Sequence, residues 1–133
     1  MIRLVKGAKE TFGWVIVGEN RELVIPPDAW QRYGFELGEE AIFTRSSKKS
    51  GGFGLTNHQL LEQTSLSGGE NLILGKGKFA KNREVIIPET IPVNPKDKLL
   101  TVFGSGFALG FITKGAIFDE ACKHPELPIF TIR

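Results

Sequence analysis

The chain is short of several side chains, with one cysteine, one methionine, one tyrosine and two histidines among 133 residues, and each shortage excludes something. A lone Cys122 permits no disulfide within the chain, so nothing ties the protein to an oxidising compartment and a cytoplasmic location is expected. His58 and His124 stand far apart, without cysteines or acids at metal-ligand spacing. No metal, cofactor or catalytic role is therefore expected of them. No nucleophile-base pair can be read either, and the chain is expected not to be an enzyme. No apolar run approaches the roughly 18 residues that span a bilayer, and "MIRLVKGAKE" lacks the apolar core of a signal peptide, so no membrane role is expected. Charge of one sign is scarce too. Seventeen basic against 15 acidic residues leave +2, which falls short of a strongly basic footprint.

What the chain does have is glycine and proline, 16 and seven, which imply many turns and a β-rich architecture. It also has a repeated phrase. "NRELVIPP" at Asn20–Pro27 returns as "NREVIIPE" at Asn82–Glu89. Each copy is a β-rich hexamer closed by a proline, Pro26 or Pro88. In the first copy "PPDAWQRYG" offers Pro27 at a first helical position, an acid in the first turn and Gly34 as a stop, so one or two helical turns are expected. In the second, Pro92 and Pro95 allow a single turn at most. Both copies continue into a charged turn, an apolar strand and a glycine-rich hairpin, with Gly52–Leu55 matched to Gly106–Leu109. Helices close the units. Thr56 with Gln59 reads as a capping box for "NHQLLEQ", and "GAIFDEACK" should end at His124 and Pro125. Cys122 reads as a small core residue there. Residues 1–66 and 67–133 thus form two units, and halves this small are expected to share one core. Trp14, Trp30, Phe12, Tyr33 and Phe35 are expected in that core.

The pattern of strand, "[R]-x-[VI]-I-P", short helix, "GxxxGEE" or "PKDK" and strand resembles the SpoVT-AbrB family of transition-state regulators, over roughly residues 14–46 and 76–104. The resemblance implies a mainly β fold with short helices: a swapped-hairpin, double-psi-like β-barrel built from two tandem AbrB-like repeats. One unit is incomplete in that family, and two interleave, usually across a homodimer. A chain with two units could supply both. The resemblance further implies transcription regulation through DNA, with basic residues around the loops contacting phosphates and the major groove. On this chain the candidates are Arg21 and Arg83 in the phrase, Arg32 on the first helix, and Arg45, Lys48, Lys49, Lys78 and Lys81 in loops. Arginine suits bidentate contact with phosphate or guanine, and lysine attracts polyanions through counterion release.

Other readings compete. Residues 1–66 carry eight basic and eight acidic side chains and residues 67–133 carry nine and seven, so the basic excess lies in the second half, around Lys76, Lys78, Lys81 and Arg83. Such clusters also occur as plain solvated surface. Arg21 and Arg83 each precede a glutamate and could pair locally. A non-catalytic module binding a protein partner, as an antitoxin does, is the alternative to DNA recognition. The tail "IFTI" is apolar enough to dock on the chain's own sheet or a neighbour's. Gly104, Gly106 and Gly110 look superficially like a dinucleotide fingerprint, but "FALGFIT" reads as a strand where that motif needs a helix.

Overall fold

The computed structural model describes residues 2–3, 10–45, 51–63 and 73–132. Among these residues ten strands and three short helices follow one another: β1 Ile2–Arg3, β2 Glu10–Ile16, β3 Glu22–Val24, α1 Pro27–Tyr33, β4 Glu40–Arg45, β5 Phe53–Thr56, α2 His58–Glu62, β6 Ile73–Lys78, a 3₁₀ turn Lys81–Arg83, β7 Glu84–Ile86, β8 Lys98–Ser105, β9 Ala108–Ile112, α3 Ala116–Ala121 and β10 Ile129–Phe130. None of these helices is long and apolar enough to cross a membrane.

The strands interleave the two copies. One sheet runs β1-β2-β8-β9-β5-β4-β6, with β10 added in parallel beside β2, while β3 and β7 form a separate antiparallel ribbon. The β4–β5 hairpin of the first copy thus pairs with β6 of the second, and the β8–β9 hairpin of the second pairs with β2 of the first. A closed barrel was expected, and the ladder does not close. Its two ends are β6 and the β1/β10 pair, because the chain's own end segments occupy the outer edge of β2 and so remove it as a partner for β6.

The registers obey a two-fold relation. The copies of the phrase are 62 positions apart (82 minus 20), and Leu23 pairs with Val85, its own counterpart. Gly18 N–H donates to Glu22 O and Ala80 N–H to Glu84 O; Ile25 N–H donates to Arg83 O and Ile87 N–H to Arg21 O. At the far side of the sheet Gly54 pairs with Gly110. The β4–β5 and β8–β9 registers make these two glycines equivalent, since Gly54 faces Thr44 and Gly110 faces Val102. Leu55 therefore corresponds to Phe111 and not to Leu109, which corrects the sequence alignment by two positions. Between β3 or β7 and the next strand the offset falls from 62 to 58, as Glu40 corresponds to Lys98. The second copy is four residues shorter there, about one turn of helix.

One core serves both copies: Leu23, Ile25, Phe43, Phe53, Leu55 of the first and Phe79, Val85, Ile87, Leu99, Phe111 of the second are buried together. Phe12, Tyr33 and Phe35 join them, with Trp30 at the margin. Trp14 belongs to a smaller cluster with Leu100, Val102 and Ile112, covered by Ile117 and Phe118 of α3. Burial of such aromatic and branched side chains is the main favourable term in folding, at about 25 cal/mol per Å² of apolar surface.

Local structure follows the sequence with two exceptions. Helix α1 starts at Pro27, carries Asp28 in its first turn and stops at left-handed Gly34. The cap of α2 is Asn57, whose side-chain oxygen accepts from Leu60 N–H at 2.8 Å, and not Thr56, which is a buried strand residue donating to Phe107 O. Cys122 is exposed, not core, because it is the C-cap of α3 and the buried position of that turn goes to Ala121. The tail docks on the chain's own sheet, with Ile129 and Phe130 paired to Trp14 and Val15. Residues 104–110 form the β8–β9 hairpin, with no helix opening at the glycines.

Candidate nucleic-acid interface

The duplicated arginines have the same backbone and different tasks. Arg21 and Arg83 both lie in the left-handed region, at φ 64° and 60°. Arg21 sends Nε to Ile87 O at 3.1 Å, Nη1 to Val93 O at 2.6 Å, and Nη2 to Pro88 O and Ile91 O, both at 2.6 Å. These are the carbonyls of the segment whose prolines prevent a helix. Pro88 O and Ile91 O accept short-range bonds from Ile91 N–H and Val93 N–H, and the fixed donors of the guanidinium add to these. Arg21 is thereby withdrawn from the DNA-contact candidates, since one N–H at most is left over. It holds the shortened copy together.

Arg83 repeats only the first of these bonds, Nε to Ile25 O at 3.0 Å. Its neighbours in the first copy are wound into α1, where Pro26 O already accepts from Trp30 N–H. Arg32 lies on the exposed side of α1 with its guanidinium 4.7 Å from the Phe103 ring and 3.6 Å from Glu10, so its charge is partly spent on the protein. Arg45 ends β4 opposite Phe53 and is exposed. Lys48 and Lys49 lie outside the described residues.

The basic run of the second copy divides. Lys76 is 3.6 Å from Glu40, which also meets His58 Nε2 at 2.6 Å. The hydrogen bond from His58, with the lysine charge behind it, holds the Glu40 carboxyl below the ordinary carboxylate range. Lys78 and Lys81 are exposed at the end of β6 and in the 3₁₀ turn, and no described carboxylate pairs with either. The corresponding positions of the first copy are Ile16 and Glu19, so the basic end is one-sided.

A cross-strand pair missed in the sequence makes the same point. Lys76 and Glu40 in one half correspond to Trp14 and Lys98 in the other, and Lys98 Nζ sits 4.2 Å from the Trp14 ring centroid. One half uses an ion pair where the other uses a cation over an aromatic face. The signal was present in the spacing, but it becomes visible only once the registers are known.

Compared with family models, curated proteins and solved structures, the chain matches none.

Proposed function

We propose that the chain is a non-catalytic DNA-binding transcription regulator of the SpoVT-AbrB type, a swapped-hairpin protein whose two units come from one polypeptide. The exchange of hairpins between copies fits that arrangement. The observation that carries the DNA reading is the pair Lys78 and Lys81, exposed on one rim without a described carboxylate partner while Lys76 beside them is paired to Glu40. Arg45 stands at the other end of β4 from Glu40, the register partner of Lys78, and so lies apart from this rim, which a homodimer would present twice. Free lysines at a rim attract phosphates without reading bases, so sequence preference would come from arginine.

Fluorescence anisotropy with labelled duplexes across a salt series tests it. If about five phosphates are neutralised, log affinity falls against log salt with a slope of roughly −4 to −5. A folded protein with no saturable binding below about 10 μM at low salt overturns the reading. The alternative is then a protein-interaction module, which the exposed Ile86 on β7 and Ile129 on β10 favour.

A further inference from the structure

The comparison of Arg21 with Arg83 leaves something unspent. The Nη groups of Arg21 meet three carbonyls, whereas those of Arg83 meet no described acceptor, although the side chain is half-buried. Arg83 lines a groove of about 490 Å³ between the 82–84 turn and the tail, together with Val24, Asn82, Glu84, Ile129 and Phe130 among others. That volume lies in the range of small-molecule sites, about 300–1,000 Å³.

The lining has three chemistries. A guanidinium with both Nη groups open offers the parallel pair of donors that fits a carboxylate. Val24, Ile129 and Phe130 supply the apolar part of the lining, with Ile129, 56% exposed, presenting the most surface. Glu84 lines the same groove and makes no ion pair among the described residues. Its charge disfavours ligands bearing two or three negative charges and accommodates an ammonium. We infer that this groove is a binding site for a small monocarboxylate with an apolar body, held by Arg83 at one end and by Val24, Ile129 and Phe130 along its length. An α-amino acid with an apolar side chain is one source of that chemistry, its ammonium meeting Glu84; a simple aliphatic acid is the other. The inference stands apart from the DNA reading and needs no nucleic acid for its test.

The full chain is titrated with L-leucine, with 4-methylpentanoate, which is leucine without its amine, and with inorganic phosphate, while backbone amide and methyl resonances are followed. Saturable shifts centred on Val24, 82–84, Ile129 and Phe130 with either carboxylate are expected, and the tighter of the two identifies the source. Ile129→Glu, a change at a position that is 56% exposed, is expected to weaken binding about tenfold or more with the amide spectrum otherwise retained, and Arg83→Leu to abolish it. Retained binding in Ile129→Glu, equal binding of phosphate, or no saturable shift with either acid up to about 10 mM overturns the inference.

Discussion

Leu23 and Val85 face each other at the centre of the β3–β7 ribbon, both buried, and each is the other's counterpart in the repeated phrase. Among the described strands, each copy of the phrase is completed by the other. Neither half keeps its sheet when the other is removed, because β2 loses β8 and β4 loses β6. Residues 1–66 expressed alone are expected to self-associate or stay unfolded. A monomeric fragment with a cooperative melt would contradict this, and sedimentation with thermal scanning decides it.

The two arginines of the phrase give an unequal pair of mutants. Arg21→Ala strips four carbonyls of a charged donor, and hydrogen bonds of that kind contribute about 1.5–3 kcal/mol each without being additive. A loss of about 3 kcal/mol or more is expected in urea unfolding, against about 1 kcal/mol for Arg83→Ala, which removes one bond. Equal losses would mean that the wrapped loop is held by its own backbone bonds.

For nucleic acid, Lys78→Gln combined with Lys81→Glu is expected to weaken DNA binding at least tenfold and to flatten the salt slope by about 2, two contacts at ~0.9 each. Stability should stay within about 0.5 kcal/mol, since both side chains are exposed and pair with no described carboxylate. Unchanged anisotropy curves would show that DNA, if bound, meets another face.

Gly13 is where the tail crosses β2. Its φ is +125°, and a Cβ there would lie 2.7 Å from Pro128 O and 2.9 Å from Pro128 Cγ. Gly13→Ala is expected to cost about 2 kcal/mol through backbone strain alone and to push the tail outward. Faster trypsin cleavage after Lys123 at native temperature is the readout; a cleavage rate like that of the parent would mean that the tail adjusts in place.

His124 joins α3 to the turn before the tail, with Nδ1 at 2.6 Å from Glu126 and Nε2 at 3.3 Å from Glu120. The bonds to Glu126 first and Glu120 second raise its pKa above the ordinary 6.5. A raised folded value stabilises the protein fully below the unfolded pKa, and that contribution fades as pH climbs through the folded one. Glu126 behaves oppositely, its pKa lowered first by a backbone hydrogen bond and then by His124. Its contribution is present above the ordinary 4.5 and is lost as pH falls through the folded value. Melting temperature should therefore decline from about pH 6.5 upward. In His124→Gln that decline should flatten, and a parallel decline in both proteins would rule the cluster out.

Much of this was legible from the chain. Pro27, Asp28 and Gly34 bound α1 as written, and the prolines at 92 and 95 denied the second copy its helix. Those signals act within a few residues, where steric rules decide. The sequence leaves Arg21 among the DNA-contact candidates because nothing local shows that four carbonyls 66 or more positions away converge on it. Thr56 lost its capping role to Asn57 because strand pairing with Ile42 claimed it first. The phrase itself could be read, but the pairing of each copy with the other is a long-range fact.

The Trp14–Lys98 and Lys76–Glu40 pairs occupy the same station on opposite sides of the two-fold relation. In a dimer of identical chains such stations must change together, because one codon serves both. Joining the units in one polypeptide releases that constraint, so one flank can hold a neutral ion pair while its mirror position holds a cation over an aromatic ring. The target of such a molecule need not be palindromic: a chain with unlike flanks can tell left from right on whatever it grips.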